Sequence, residues 1–391
     1  MEGDFIKVND WLLPLSWLYG LGVRLRNQLF DLGILKSRSF DIPVISVGNI
    51  TVGGSGKTPH VEFLINTLRD KAKVAVLSRG YKRKSRGYVL ADKDTKMREI
   101  GDEPYQMKRK FPDIYVAVDK KRCHGIDQLT SNRETDDVEV ILLDDAFQHR
   151  YVKPGINILL VDYHRLIMYD KLLPAGRLRE PKKGKSRADI VIVTKCPADL
   201  KPMEFRVIQK TMNLFPYQKL YFTTLKYDDL KSAYCGADRK LSTLTKDTNV
   251  LLLTGIASPQ QIIMDLEPYT ERITPLTFAD HHQFSAADIE RINETFRDME
   301  GKDKIIITTE KDNARLFGME GLSDETKKNL YVLPVAVSFM LGQEEDFKYN
   351  IIDYVRKNSR NSILAKGKDD NKSGDSNNPG NGARTISFRN N

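Results

Sequence analysis

The chain has 391 residues, 40% hydrophobic and 29% charged. This excludes a small stapled module and a wholly disordered polymer, and leaves room for about two cored domains. Lys and Arg number 62 against 53 Asp and Glu, a formal charge of +9, which favours nucleotides, nucleic acid or an acidic membrane surface without choosing among them. Cys123, Cys196 and Cys235 are far apart and belong to no paired motif, so a disulfide framework or zinc site is not expected and a reducing cytosol fits.

The first element is an uncharged stretch, "WLLPLSWLYGLGV" at 11–23. It is shorter than the ~20 apolar residues of a spanning helix. Pro14 is expected to interrupt it, and it lacks the charged start and cleavage site of a signal peptide. Arg24, Arg26, Lys36 and Arg38 follow, opposed only by Asp31. A helix packed on the protein's own core is one reading; a helix lying on a membrane surface is the other. Both tryptophans of the chain, Trp11 and Trp17, fall here, which favours the membrane surface. Residues 1–36 are therefore expected to be amphipathic and membrane-associating.

Strand and helix patterns then alternate. "IPVISVGN" (42–49), "VAVLSRG" (74–80), "IYVAVD" (114–119), "VEVILLDD" (138–145), "INILLVD" (156–162) and "DIVIVTK" (189–195) read as strands. Val61, Leu64, Ile65 and Leu68 have helical spacing. Continuous apolar runs separated by helix-length segments predict an α/β fold with a mostly parallel sheet covered on both faces. The pattern restarts at about residue 218 with "LYFTTL", "NVLLLTGIA", "RITPLTF", "KIIITTEKD" and "LYVLPVAV", read as a second, smaller α/β lobe. The expected domains are thus 37–217 and 218–357. The Asn-, Ser-, Gly- and Lys-rich tail, 358–391, is expected to be disordered.

Between the first strand and its helix lies "TVGGSGKTPH", 51–60. A phosphate cradle needs glycines so that backbone N–H groups converge on oxygens, a lysine for the β/γ oxygens and a hydroxyl for Mg²⁺. Thr51, Val52, Gly53, Gly54, Ser55, Gly56, Lys57 and Thr58 form such a nucleotide-binding loop, with Thr51 where the usual pattern has glycine. Asp144 and Asp145 close a buried strand, where two acids are costly without a cation or hydrogen bonds. Together these point to a nucleoside-triphosphate enzyme. Val52 replaces the lysine that marks membrane-cycling partition ATPases, and "VTKCPAD" (193–199) only partly echoes a guanine-reading motif, with Lys195 left either near a base or as a plain strand-end lysine.

Further motifs follow in order: "LSRGY", "GDEP", "DDAFQH", "PAGRLREP", "VTK", "LTGIASP", "FADHHQF" and "TTEKD". With "VGNITVGGSGKTPH" this series, spanning 47–312, closely resembles the tetraacyldisaccharide 4′-kinase (lipid A 4′-kinase) family of Gram-negative bacteria. Thr51 is compatible with that family's loop. The resemblance implies a P-loop kinase core, a smaller lobe joined by a hairpin hinge, closure over ATP, and peripheral attachment to the cytoplasmic face of the inner membrane.

The resemblance also implies roles. Asp102 of GDEP would accept the proton of the sugar hydroxyl, oriented by His281 from the second lobe. Lys57 and Thr58 would handle phosphates and Mg²⁺, with Asp144, Asp145 and Glu180 as metal residues. Arg79, Arg122, Arg179 and His149 would meet anionic groups, including the 1-phosphate of the lipid. ATP and Mg²⁺ are the expected cofactors. The expected partners are a tetraacyldisaccharide 1-phosphate and an anionic inner-membrane surface, with no nucleic acid and a monomeric chain. The competing class is a membrane-recruited P-loop ATPase switch with no lipid acceptor, for which the GDEP and DHH motifs have no use.

Overall fold

The computed structural model describes residues 8–359, apart from 235, 257–258, 280–281 and 302. The tail expected to be disordered, 358–391, lies almost wholly outside the described residues. In chain order the body runs α1 (Leu13–Asp31), β1 (Val44–Gly48), α2 (Lys57–Leu68), β2 (Val74–Ser78), β3 (Val89–Leu90), α3 (Met97–Ile100), α4 (Asp102–Lys110), β4 (Tyr115–Val118), α5 (Arg122–Ser131), β5 (Val140–Asp144), β6 (Ile156–Asp162), β7 (Ile190–Thr194), α6 (Pro202–Met212) and β8 (Lys219–Tyr227). The smaller lobe holds β9 (Lys231–Ser232), β10 (Asn249–Thr254), α7 (Pro259–Leu266), β11 (Arg272–Thr277), α8 (Ala286–Asp298), β12 (Lys304–Thr309), α9 (Glu310–Leu316), α10 (Asp324–Lys328) and β13 (Leu330–Leu333). The chain then returns to the body as β14 (Val335–Phe339) and α11 (Glu344–Asn358).

The body is a nine-stranded sheet in the order β14-β8-β7-β6-β1-β5-β2-β4-β3, and the lobe a five-stranded sheet in the order β11-β10-β12-β13-β9. The inner strands pair in parallel. They are buried along their length, as the unbroken apolar runs require. One face packs on α2, α4 and α11 through Ile45, Val47, Leu64, Met107, Phe347 and Ile351; the other builds separate clusters around Leu143 and Leu159.

The boundary expected at residue 218 falls elsewhere. "LYFTTL" is β8 and pairs in parallel with β7, so it belongs to the body's sheet. "LYVLPVAV" is two strands of two sheets: β13 ends at Leu333, Pro334 follows, and β14 pairs antiparallel with β8. Proline cannot donate to a ladder, so Pro334 argues against a single run through it. The lobe is therefore an insertion between β8 and β14.

Pro14 starts α1 rather than interrupting the apolar stretch, because it occupies the first turn, where its missing N–H costs nothing. The helix buries Ser16, Gly20 and Phe30. Ser16 Oγ donates to Leu172 O at 3.0 Å and accepts from Ala175 N at 2.9 Å, while a Cβ on Gly20 would stand 2.7 Å from Leu172 Cδ1. The small face thus seats α1 on the 172–175 loop. Most large residues of α1, and Trp11 in the turn before it, face outward: Trp11 is 93% exposed and Trp17 86%, with Leu15, Leu18, Leu21 and Leu25 also exposed. A helix of a water-soluble surface has the opposite arrangement. Among the described residues no helix is long and apolar enough to cross a membrane.

Candidate active site

The phosphate loop leaves β1 at its C-terminal end and enters α2. A Cβ on Gly48 would fall 2.8 Å from Phe147 Cβ, so glycine lets the loop after β5 pack against β1. Gly53 and Gly56 have φ of +117° and +78°, conformations that favour glycine. Asn49 Nδ2 donates to Thr51 Oγ1 (3.3 Å) and Ser55 Oγ (2.8 Å), and Thr194 Oγ1 donates to Ser55 O (3.0 Å). Thr51 is buried and bridges Leu178, while Val52 N donates to Arg177 O. A side-chain network thus stands where the common loop has its first glycine. Lys57 and Thr58 open α2, whose N-terminal N–H groups and dipole favour an anion.

His60 braces the loop from below. Its Nδ1 lies 2.7 Å from Gly56 O and its Nε2 3.1 Å from Thr223 Oγ1 on β8. A carbonyl only accepts, so Nδ1 carries the proton and Nε2 takes the threonine hydrogen. Complete burial pushes this histidine down to about 4, so it stays neutral.

Asp144 ends β5 and is buried, its Oδ2 accepting from Ser78 Oγ at 3.1 Å. Burial first, then Asp145, raises its carboxyl above the ordinary range. Its Oδ1 is buried with no hydrogen-bond partner. Asp145 turns out of the strand at φ +47°, with Lys57 Nζ at 3.6 Å and Arg179 Nη1 at 3.7 Å.

GDEP caps α4. Gly101 has φ +93°, and its Cβ would meet Tyr81 O at 2.9 Å, so the helix starts tightly against the SRGY loop. Asp102 and Glu103 fill its first turn, where the helix dipole favours acids. Glu103 is pushed up to about 7 by burial, then by Asp144; Lys311 opposes this, Asp102 adds to it, and Lys57 also opposes it. Glu103 thus feels charges from the end of β5, the phosphate loop and the smaller lobe. Asp102 Oδ2 accepts from Arg315 Nη2 at 2.6 Å, across the junction with the smaller lobe. Further along the seam Lys110 Nζ reaches Glu62 and Glu310 at 2.6 Å each, and the Arg109 guanidinium stacks 3.6 Å from the Phe317 ring centroid.

A second cluster is basic. Arg122 is buried, donating to Asp119 O (2.8 Å) and Asp144 O (3.1 Å), and burial pulls it down to about 10. His149 is lowered to about 4 by burial, then by Arg122, Arg26 and Arg79. A neutral imidazole among three guanidiniums is the electrostatic signature of a place for an anion. Arg179 lies beside this group, its Nη1 3.5 Å from Gln148 Oε1. Arg26 reaches it from α1, donating to Gln148 O at 3.3 Å.

The expected residues divide as follows. Lys57, Asp144 and Asp145 come together with the start of α4, and Arg79, Arg122 and His149 form the basic cluster. Glu180 does not join the aspartate pair in any contact among the described residues: its Oε2 accepts from Arg187 at 2.6 Å, while its Oε1 is buried without a partner. His281 lies outside the described residues. Lys195 pairs with Asp162 at 2.8 Å. Cys123 and Cys196 are free thiols. Asn49, His60, Glu103 and Arg315 do not stand out from the sequence. Glu103 has a signal there, an acid beside Asp102, and so has Arg315, a cation three residues after Asp312 within one helix.

A strand–loop–helix phosphate cradle, an acid pair ending the adjacent strand and an acid-led helix facing both define a P-loop phosphotransferase. The family model described as "Tetraacyldisaccharide-1-P 4'-kinase" matches residues 8–356, and the chain belongs to that family. It is 61% identical to the tetraacyldisaccharide 4′-kinase of Phocaeicola vulgatus over 93% of this chain and 99% of the relative. It is 43% identical to that of Porphyromonas gingivalis strain W83, over 90% and 99%. The crystal structure of Aquifex aeolicus LpxK in complex with ATP superposes with a TM-score of 0.66 at 31% identity, covering 88% of this chain and 98% of that one.

Proposed function

We propose that the site described above carries out the family's reaction in this chain. The protein is an ATP-dependent kinase that phosphorylates the 4′-hydroxyl of a tetraacyldisaccharide 1-phosphate in lipid A biosynthesis, and membership of the family favours this over a lipid-independent ATPase switch. Asp102 takes the proton as the hydroxyl oxygen bonds to the γ-phosphorus and the bond from that phosphorus to the ADP oxygen breaks. Lys57 and the N–H groups of residues 53–58 hold the β/γ oxygens, a preorganised charge for the transition state. His281 orienting Asp102 rests on the family resemblance. What supports the reading is that Glu103, next to Asp102, feels the charges of Asp144 at the end of β5 and Lys57 of the phosphate loop.

The donor set fits Mg²⁺: Asp144 has a buried oxygen without a partner, and both it and Glu103 are raised, as acids crowded together in a place suited to a cation are. Among the described residues no group of three or more His, Cys, Asp or Glu is arranged to hold a metal alone. Asp144 and Asp145, with the Thr58 hydroxyl, would therefore share the ion with nucleotide phosphates, and the ion would neutralise phosphate charge. Arg26, Arg79, Arg122, Arg179 and His149 receive the lipid's 1-phosphate. The outward apolar face of α1 seats the protein on an anionic bilayer, and the cytoplasmic face of the inner membrane is the location this implies. A monomer is sufficient for the site as described.

The test is a mass-spectrometric assay for phosphate added to a tetraacylated disaccharide 1-phosphate, with ADP formation followed alongside. Stoichiometric, lipid-dependent ADP formation, lost in Asp102→Asn, is expected. Lipid-independent turnover, or full transfer by Asp102→Asn, would overturn the assignment.

A further inference from the structure

Three sequence features of the smaller lobe stand outside the chemistry above: the glycine of "LTG", the threonine and aspartate of "TTEKD", and the arginine that follows. They meet in one arrangement. Asp312 is fully buried, and its Oδ2 accepts from Gly255 N (2.9 Å) and Thr309 Oγ1 (2.8 Å). Its Oδ1 accepts from Arg315 Nη1 at 3.0 Å, and the same nitrogen donates to Gly255 O at 3.3 Å. A Cβ on residue 255 would stand 3.0 Å from Asp312 Oδ1 and 3.3 Å from Ala279 O, so glycine admits the pair. Thr309 caps α9 by accepting from Asp312 N at 3.1 Å. Every one of these contacts fixes the direction of one guanidinium, and its other nitrogen, Nη2, leaves the lobe to donate to Asp102 Oδ2 at 2.6 Å.

We infer that Arg315 is a positioning residue for phosphoryl transfer: an arm of the smaller lobe, set by Asp312, Gly255 and Thr309, that fixes the rotation of the Asp102 carboxylate. Asp102 Oδ1 accepts from Glu103 N at 3.1 Å, so the backbone holds one oxygen and the arm the other. An arginine suits the task because its fork is planar, always charged and makes short charge-assisted bonds to carboxylate. A purely architectural salt bridge between lobes would not need a partner so thoroughly oriented on its own side. Because the arm belongs to the smaller lobe, the carboxylate is aligned only when the lobes are together.

This inference rests on Asp102 being the proton acceptor, so its test separates the two. Single-turnover transfer is measured for Arg315→Ala, Arg315→Lys, Asp102→Asn and the two double variants, with ATP affinity and thermal unfolding read in parallel. Arg315→Ala is expected to lose about 10²-fold in transfer rate, the scale of a small misplacement of a reacting group, while ATP affinity stays within about twofold. Millimolar guanidinium chloride is expected to restore part of the rate to Arg315→Ala and none to Asp102→Asn. In the Asp102→Asn background, loss of Arg315 is expected to change the residual rate little, since groups acting as one unit are non-additive. If Arg315→Ala does not fold, Arg315→Lys carries the comparison: it keeps a charge beside Asp312 but cannot span both carboxylates. A folded Arg315→Lys or Arg315→Ala enzyme at near wild-type rate, or losses that multiply with Asp102→Asn, overturns the positioning role while leaving the base assignment standing. An Asp102→Asn enzyme that transfers at full rate overturns both.

Discussion

Lys57 Nζ stands 3.6 Å from Asp145 Oδ1, so the lysine of the phosphate loop and an acid just beyond β5 already face each other. Arg179 approaches the other oxygen of the same carboxylate, and this double pairing holds a non-glycine residue at φ +47°. The lysine side chain is largely buried but points toward the site, so its removal should spare the fold. Lys57→Ala is expected to lower transfer roughly 10²–10³-fold, the range for losing one charge-stabilising donor. Circular dichroism should show a native fold, and a folded variant with near wild-type transfer contradicts the phosphate-loop role.

Glu103 is expected to trade stability for activity. Its carboxyl sits near 7 in the fold against an ordinary value of about 4.5, so the folded state holds a proton that the unfolded state has released. Stability therefore falls as pH rises from about 4.5 through 7. Glu103→Gln should unfold at a higher temperature than wild type at pH 8, with the advantage vanishing toward pH 4, and should transfer phosphate more slowly. Thermal scans across pH read this directly; a variant less stable than wild type at pH 8 refutes it.

His60 is expected to act in the opposite sense. Its value of about 4 lies below the ordinary 6.5, so the unfolded state gains a proton that the folded state refuses. Its contribution is complete above pH 6.5 and is lost as pH falls toward 4, a tenfold difference in proton affinity between the two states being worth about 1.4 kcal/mol. His149 titrates in the same window. His60→Gln should flatten the acid limb of the stability curve and weaken ATP binding, since Gly56 loses its brace. An unchanged acid slope in denaturant titrations would contradict the burial argument.

The two faces of α1 should separate by mutation. Trp11→Ser with Trp17→Ser removes exposed apolar surface and should weaken sedimentation with anionic vesicles without lowering the unfolding temperature. Arg26→Ala should instead raise the KM for the lipid while leaving the KM for ATP unchanged, because its guanidinium lies in the basic cluster. Undiminished vesicle binding by the tryptophan variant would mean the face meets something other than a bilayer.

The inner strands are legible in the sequence because burial on both faces leaves an unbroken apolar run, and the phosphate loop because its glycines are required by backbone geometry. "LYVLPVAV" misleads because periodicity carries no information about which sheet a strand joins; only Pro334 hints at the break. Asp144 and Lys57 are visible as residue types in the right local context. The Arg315–Asp102 contact is not, since the two are far apart in sequence and nothing local to either names the other. Arg26 reads from sequence as a headgroup contact, and its second role depends on how α1 lies across the 172–175 loop, which Ser16 and Gly20 decide.

The insertion of the smaller lobe between β8 and β14 has a consequence for synthesis. Tyr227 pairs with Val335, so the last partner of β8 is made only after the whole lobe has been translated. At about 5–20 residues per second, the roughly hundred residues between them take on the order of 5–20 s. During that interval the edge of β8 is an open template on the ribosome, and Phe347 and Ile351 of α11 have not yet arrived to close the apolar face beside α2. The body of this kinase, though it begins first, is therefore finished last, after the whole of the smaller lobe has been made.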